Sequence, residues 1–303
     1  MGTVLEIWLY GLEDQPGRAL LDRLFERSAA LERLFSRHDP ESELSRLNRA
    51  AGEHEVDWEL AALLAESLEH VRTTGGAFDV TVGPLVSLWW AAAERGRAPD
   101  AAELAAARAR VAAERLRTRS DPDGRSFAAL EPGTTVDLGG IAKGYALDRL
   151  AALAREGGAG AALFSFGQSS LAALGAPPGK DGFRVLVRDA RAGFAGVATL
   201  RDQSLSMSGS LGQGFEIAGV AYGHVIDPRS GQPLTARAVS AVVDASGSRA
   251  EALAKALLVL PPDEGIALLE SLPGAEGLWL DESGDAHESS GWRAAVHFEP
   301  LAR

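Results

Sequence analysis

Cysteine is absent from this 303-residue chain, and so is any long apolar run. Without cysteine there can be no disulfide bond, no iron–sulfur cluster and no thiolate nucleophile. A transmembrane helix needs about 18 or more apolar residues in succession, so we expect no membrane insertion. The first residues, MGTVLEIWLYG, lack the basic and apolar segments of a signal peptide and the cysteine of a lipoprotein anchor. These absences predict a cytoplasmic protein, or an exported one if the sequence is truncated.

Positive charge is also scarce, and lysine is the scarcest source of it. The chain has 42 acidic and 30 basic residues and a net charge of −12, which disfavours binding to nucleic acid or to an anionic membrane. Lysine occurs only at Lys143, Lys180 and Lys255. Its charge is compact and can be lost on burial, whereas that of arginine cannot. Each lysine is therefore either a functional group or a chance exception in an arginine-rich chain.

Helical patterns predominate in the first half of the chain and strand patterns in the second. Apolar residues recur at helical spacing over residues 16–36 and 57–72, and the alanine-rich segment 99–116 predicts another helix. Later segments such as AALFSF, FRVLVRD, AVSAVVDA and EGLWLD are typical of strands, and a further helix is expected at about 249–260. We therefore predict a single α+β domain of mixed sheets and helices over residues 1–303.

One glycine-rich segment, DLGGIAKGYALDRL at residues 137–150, has the form of an anion site. Asp137 and Lys143 lie on either side of Gly139 and Gly140, just where a helix is expected to begin. Glycines let a ligand approach the backbone, and the start of a helix presents unpaired N–H groups to an anion. A tight turn that packs the helix onto a strand would use the same residues. Both interpretations stay open on this segment alone.

Two further segments place titratable side chains among glycines. In GHVIDPRSGQP, His224 precedes Asp227 by three residues, and the pair either lines a pocket or belongs to an exposed turn capped by the aspartate. In GGAFDVTVGP, Asp79 lies among apolar neighbours and either serves a site or caps a helix. The sequence contains no HExxH motif, Walker loop, Rossmann fingerprint or GxSxG nucleophile elbow.

Together these segments resemble the ApbE family of FAD:protein FMN transferases. The resemblance covers essentially the whole chain. It rests on eight segments in family order, which are far more specific together than any one of them alone. The segments are MGT, FSRHDPESELSRLN, GGAFDVTVGPLVSLW, DLGGIAKGYALD, FGQSSLAALG, SMSGS, GHVIDPRSGQP and RAEALAKALLVL.

The resemblance implies a T-fold-like α+β domain that binds FAD and uses Mg²⁺ to split its pyrophosphate. Family members attach FMN, as a phosphoester, to a threonine or serine of an acceptor protein, so an acceptor protein is the expected partner. Two alternatives stay open for this chain. It hydrolyses FAD to FMN and AMP, or it binds FAD without catalysis because its metal site is degraded.

The resemblance also implies roles for individual residues. His224 is the candidate general base for an acceptor hydroxyl, and Asp227 and Lys255 are further candidate catalytic residues. The metal is expected near Gly140, Glu251 and Lys255. The positions expected to hold the flavin nucleotide are Met1, His38, Ala77, Phe78, Asp79, Asp137, Lys143, His224 and Ile226.

Four positions depart from the family pattern. Glu251 and Lys255 stand where the family usually has Asp and, four residues on, Thr, while Gln168 replaces a glycine and His38 an aromatic residue. An ammonium group beside a divalent cation is repulsive. We therefore expect magnesium binding to be weak or absent, with Lys255 directed at the phosphates or paired with Glu251. The alternative is an ordinary pair of opposite charges one helical turn apart.

Overall fold

The structure, a computed structural model, describes residues 3–50, 52–210 and 214–301. The helices are α1 (Asp14–Phe35), α2 (Glu43–Arg49), α3 (Trp58–Thr73), α4 (Gly83–Arg95), α5 (Ala101–Arg108), α6 (Ala142–Glu156), α7 (Gly247–Val259), α8 (Pro262–Glu270) and α9 (Trp292–Ala295). The strands are β1 (Leu5–Tyr10), β2 (Gly52–Val56), β3 (Leu116–Ser120), β4 (Ser126–Leu130), β5 (Ala161–Phe166), β6 (Ser170–Leu174), β7 (Phe183–Arg188), β8 (Phe194–Leu200), β9 (Gln203–Gly209), β10 (Phe215–Ile217), β11 (Val220–Tyr222), β12 (Ala238–Asp244), β13 (Glu276–Asp281), β14 (Ala286–Glu288) and β15 (Glu299–Pro300). This mixture of helices and antiparallel sheets confirms the predicted α+β class.

The chain divides into two compact units. Unit 1 comprises the residues up to Leu31, Ile141–Gly209 and the residues from Arg237 onward, and unit 2 comprises Glu32–Gly140 and Ser210–Ala236. One boundary falls inside the DLGGIAKG segment, between its second glycine and the following isoleucine. That residues 1–303 form a single domain stays a prediction.

Unit 1 is built on a seven-stranded antiparallel sheet in the order β1-β5-β6-β9-β12-β13-β14, accompanied by a three-stranded sheet in the order β15-β8-β7. Side chains alternate between the two faces of a strand. Leu205 and Met207 of β9 therefore point to one face, where they join a core with apolar residues of β7 and β8 and the fully buried ring of Trp292. The alternate residues of β9 are serines and point to the opposite face.

Helix α7 covers that opposite face, and α6 packs closely against it. A Cβ atom at Gly144 of α6 would lie 2.0 Å from the carbonyl oxygen of Gly247, the first residue of α7, so only glycine permits this approach. Asp148 of α6 accepts hydrogen bonds from the backbone N–H groups of Gly247 (2.6 Å) and Ser248 (3.2 Å). These bonds satisfy donors that a helix start leaves unpaired and place a negative charge at the positive end of α7.

Unit 2 contains the three-stranded sheet β2-β4-β3, the β10–β11 hairpin and helices α2 to α5. An apolar cluster between α4, α5 and the hairpin contains Trp89, whose indole N–H donates to the carbonyl of Gly231 at 2.8 Å. Phe215 and Tyr222 pack against the same indole ring, with centroid separations of 6.4 Å and 5.1 Å. The hairpin is thus anchored to α4 by aromatic contacts.

The alanine-rich segment is a shorter helix than its composition predicts. Asp100 and Glu103 form a capping box that starts α5, but the helix ends at Arg108. A short 3₁₀ turn follows, and Leu116 begins β3, where it pairs with Leu130 of β4. The prediction of one helix over 99–116 was therefore wrong at its C-terminal half, because burial of Leu116 in a paired strand outweighs the helix propensity of alanine.

Of the helices in the described ranges, none combines the length and apolarity needed to cross a membrane.

Candidate functional site

Two of the three lysines lie around the buried carboxylate of Glu251 in unit 1. The ammonium nitrogen of Lys143 is 3.1 Å from Glu251 Oε1, and the hydroxyl of Ser170 donates to the same oxygen. Lys143 Nζ also donates to Ser170 Oγ at 2.6 Å, and Lys255 Nζ donates to Ser208 Oγ at 2.6 Å. We call these five residues the Glu251 cluster. Glu251 and Lys255 were both predicted as site residues.

Four elements bring the cluster together. Glu251 and Lys255 lie one turn apart on α7, and Lys143 lies in the first turn of α6, next to the glycine contact between the two helices. Ser170 begins β6, and Ser208 lies near the end of β9 on the sheet face that α7 covers. The close approach of α6 and α7 is thus what places a lysine from one helix on a carboxylate of the other.

In this cluster, burial and the neighbouring charges shift the pKa values of the ionisable groups in opposite directions. Burial acts most strongly on Glu251 and raises its pKa, but the charges of Lys143 and Lys255 and the hydrogen bond from Ser170 outweigh it, leaving that pKa below its usual range. Burial lowers the pKa of Lys255 to about 8, although the charge of Glu251 acts in the opposite direction. The glutamate is therefore ionised at neutral pH, between two cationic groups.

One oxygen of the cluster has no partner within the described ranges. Glu251 Oε2 is buried without a hydrogen bond, as is the hydroxyl of Ser206, which pairs with Ser170 across β6 and β9. Buried polar atoms are nearly always hydrogen-bonded, so unpaired ones point to a missing ligand or to a tolerated cost. By contrast, Lys143 and Lys255 are only partly buried and can reach a bound molecule.

In unit 2, Asp79 is a predicted site residue whose pKa is shifted by its surroundings. Its Oδ1 accepts from both the backbone N–H and the hydroxyl of Thr81, each at 2.7 Å. Burial raises the pKa of Asp79, the two bonds from Thr81 lower it, and repulsion from Glu114 adds to the rise. Ala77 and Phe78 precede it and are buried. Asp79 accordingly caps the turn that leads into α4, although its burial disfavours the ionised form of the carboxyl group.

Asp137 is held inside its own glycine turn in unit 2. Its Oδ1 accepts from the backbone N–H of Gly139 at 2.8 Å, and its Oδ2 forms an ion pair with Arg37 at 3.1 Å. Neither Gly139 nor Gly140 has a positive φ angle. The aspartate therefore shapes the turn, in which a Cβ atom on Gly139 would lie 3.0 Å from Asp137 Oδ1.

The segment around His224 is a closed loop in unit 2 in which Asp227 has a structural partner. Asp227 Oδ1 accepts from the backbone N–H of Arg229 at 2.9 Å and pairs with its guanidinium at 3.0 Å. Ile226 is buried and forms an isolated bridge with Pro233 rather than part of a longer strand. His224 is exposed. The geometry agrees with the turn interpretation for Asp227 and leaves His224 accessible.

For the remaining predicted residues, the structure shows few side-chain contacts. His38 is exposed in the turn after α1, where its backbone N–H donates to Ser36 Oγ at 3.3 Å, and Gly140 is partly buried. Met1 lies outside the described residues. Gln168, which replaces a family glycine, has a φ angle of 59°, a left-handed conformation that favours glycine.

No role was predicted for the serines of the segments FGQSSLAALG and SMSGS. Ser170 and Ser208 belong to the cluster, and Ser169 accepts a further bond from Lys143 at 3.1 Å. A signal was present in QSLSMSG, where serine occupies every second position of a strand with two buried faces. A strand that buries hydroxyls on one face needs polar partners there, which could have pointed to the lysines.

Comparison with known proteins places these residues in a family. The ApbE family model matches residues 1–279 of the chain. An FAD:protein FMN transferase of Klebsiella pneumoniae (strain 342) is 32% identical over 273 residues, covering 87% of this chain and 77% of the relative.

Solved structures agree with this match. The ApbE protein of Thermotoga maritima superposes with a TM-score of 0.86 and 26% identity, covering 97% of this chain and 96% of the other. The flavin transferase ApbE of Vibrio cholerae gives a TM-score of 0.82 at 26% identity, with the same coverage of both chains. The predicted fold and the resemblance drawn from the sequence are thereby confirmed.

Proposed function

The chain belongs to the ApbE family, and we propose that it is an FAD:protein FMN transferase. The observation that supports this most is that two motif positions far apart in sequence, Lys143 and Glu251, meet at 3.1 Å, and that a second ammonium group, that of Lys255, also acts on the Glu251 carboxylate. Such a cluster of positive charge suits a diphosphate, whose transfer depends on positioning and charge neutralisation more than on covalent chemistry by the protein. The anion for the glycine-rich segment is, on this proposal, the pyrophosphate of FAD.

The reaction transfers FMN from FAD to an acceptor protein. The oxygen of an acceptor threonine or serine forms a bond to the phosphorus on the FMN side of the pyrophosphate. The bond from that phosphorus to the bridging oxygen breaks, and AMP leaves with the electron pair. The hydroxyl proton passes to a general base, for which His224 is our candidate because it is exposed and an imidazole nitrogen can accept a proton. The product is a phosphoester of FMN on the acceptor.

The side chains of this protein have two tasks, which are to bind the phosphates and to bind the rest of the flavin nucleotide. Lys143 and Lys255 bind the phosphates and offset their charge, with Ser169, Ser170 and Ser208 orienting the ammonium groups. We assign the rest of the flavin nucleotide to the residues that the family resemblance implies, namely Met1, His38, Ala77, Phe78, Asp79, Asp137, His224 and Ile226. Asp227 supports the loop that carries His224 through its bonds to Arg229.

Magnesium, which the family uses to neutralise the phosphates, does not suit the side chains at this site. Mg²⁺ needs near-octahedral oxygen ligands and usually one or two carboxylates besides the phosphates. The cluster offers one carboxylate, of which Oε1 is bound by Lys143 and Ser170 and only Oε2 is unpaired, and the family's threonine position holds an ammonium. Among the described residues, no group of three or more His, Asp or Glu side chains could hold a metal. Gly140, the third predicted metal position, has no side chain and could provide only a backbone atom as a ligand.

Product analysis tests the proposal against its two alternatives. The purified protein is titrated with FAD by flavin fluorescence and then incubated with FAD, with and without an acceptor protein. AMP release that requires the acceptor, together with flavin bound covalently to it, supports transfer. Free FMN and AMP in equal amounts without an acceptor would show hydrolysis, and FAD that binds but stays intact would show a binding protein. The absence of FAD binding would refute all three.

A further inference from the structure

We infer that the ammonium group of Lys255 takes the place of the divalent cation at the diphosphate of FAD, so that this chain binds FAD without magnesium. The inference rests on the proposed function for its ligand and goes beyond it in naming the source of positive charge. It concerns the Glu251 cluster alone, all of which lies in unit 1.

The charge of the cluster is the first argument. Glu251 contributes one negative charge, and Lys143 and Lys255 contribute two positive charges, which leaves a net charge of +1 before any ligand binds. A diphosphate is attracted to such a cluster, whereas a divalent cation placed between two ammonium groups is repelled. The cation that the phosphates require is thus already part of the chain.

The position of Lys255 is the second argument. Its ammonium is fixed by a 2.6 Å bond to Ser208 and by the charge of Glu251 one turn away, yet it remains partly accessible. An ammonium group has three donors, so it can keep the bond to Ser208 and still donate to phosphate oxygens. Lys143, whose side chain is 19% exposed, has the same combination of anchored and available donors.

A purely structural role explains the cluster poorly. After Gly247 and Ser248 in the first turn, the buried residues of α7 other than Glu251 are alanines and leucines, several of which pack against Val242 and α8. A buried carboxylate with cations is seldom more stabilising than apolar residues of similar size. In a chain that otherwise uses arginine, two of the three lysines lie at this carboxylate. The third, Lys180, lies in an exposed loop and provides a matched control.

The decisive measurement is the affinity for FAD with and without magnesium, because it does not depend on turnover. The wild-type protein is titrated with FAD in excess EDTA and in excess Mg²⁺, and Mg²⁺ binding is followed by calorimetry. We expect the two FAD affinities to agree within about threefold, and no magnesium heat at the protein concentrations used. A gain of more than about threefold with Mg²⁺, or one bound ion per chain, would overturn the inference.

Three variants identify the group responsible. Lys255→Met should weaken FAD binding in EDTA about tenfold or more, as expected for the loss of a charge-assisted bond to phosphate. Lys180→Met should leave it unchanged. Glu251→Asp combined with Lys255→Thr restores the family's ligand pair and should make FAD binding depend on Mg²⁺. Lys255→Gln, which is also uncharged, repeats the first test should the methionine variant fold poorly.

The outcomes separate this inference from the proposed function. FAD binding that needs no metal and that Lys255→Met weakens about tenfold or more supports the inference. If no acceptor is modified in that case, only the proposed transfer fails. Transfer that requires Mg²⁺ and survives Lys255→Met supports the proposed function and refutes the inference. FAD affinity that is equal in wild type and Lys255→Met refutes it as well.

Discussion

The ammonium nitrogen of Lys143 lies 3.1 Å from Oε1 of Glu251 and so joins the first turn of α6 to α7. This contact exists because two glycines, Gly144 and Gly247, bring the helices together at the adjoining position. The same geometry gathers the charge that the proposed reaction needs.

Neutralising the carboxylate should destabilise the fold. Glu251→Gln leaves two ammonium groups beside an uncharged amide in a desolvated place, and removing one partner of a buried ion pair costs about 3 kcal/mol or more. The free energy of unfolding, measured with urea, should fall by that order. Glu264→Gln on the exposed side of α8 is the control and should change it little. Equal stabilities would mean that the cluster is better hydrated than its burial indicates.

The contact between α6 and α7 should tolerate no side chain. In Gly144→Ala, the new Cβ would meet the backbone of Gly247 at 2.0 Å, so the helices must separate. We expect the unfolding free energy to fall by about 2 kcal/mol or more, with loss of FAD binding because Lys143 moves away from Glu251. Gly17→Ala in α1 is the control, since its Cβ would make only an ordinary 3.7 Å contact. An unchanged FAD affinity in Gly144→Ala would separate the helix contact from the site.

The raised pKa of Asp79 should appear in the pH dependence of stability. Burial favours its protonated form in the folded state, so its contribution is fully present below the ordinary pKa of 3.8 and is lost as the pH rises through the folded-state value. Asp79→Asn does not titrate, and the stability of the variant relative to wild type should therefore increase with pH above about 4. Unfolding curves between pH 3 and 7, at intervals of about one unit, measure this difference. Asp123→Asn, in an exposed turn, should show no such trend.

The turn at Gly167 and Gln168 should respond oppositely to two substitutions. Gln168 adopts a left-handed φ of 59°, so Gln168→Gly should stabilise the protein by up to about 1 kcal/mol. Gly167→Ala should destabilise it, since the added Cβ would lie 2.3 Å from the hydroxyl oxygen of Thr3. Thermal denaturation of both variants tests the pair. A loss of stability in Gln168→Gly would show that the bond from Arg188 to the Gln168 side chain matters more than the backbone conformation.

The class of fold was predictable from the sequence, whereas features that depend on tertiary pairing were not. Strands such as β5, β7 and β13 were predictable because apolar residues occupy most of their buried positions. The end of α5 was not predictable, since the helix propensity of alanine does not indicate where a later strand begins. Glu251 and Lys255 were found by comparison with a family pattern, yet only the structure brings Lys143 to them, from more than a hundred residues away in the chain.

The same limit applies to the polar residues. Asp227 was open to two interpretations because an Asp-Pro turn has the same local sequence whether or not it serves a site, and its bonds to Arg229 favour the turn. The serines of β9 escaped notice because serine is common in loops. Their role depends on which face α7 covers, and that is a property of the sheet order rather than of the local sequence.

Covalent attachment of FMN to an acceptor is the direct measure of the proposed transferase activity. The wild-type protein and FAD are incubated with an acceptor that the Vibrio cholerae flavin transferase modifies, with that enzyme as the positive control, and with proteins of the source cell. Intact-mass spectrometry should show the acceptor heavier by one FMN less one water, with one AMP released per acceptor and flavin fluorescence retained after denaturation. Acceptors and cell proteins that stay unmodified while the control enzyme labels its acceptor, with FAD intact or merely hydrolysed, would contradict the account.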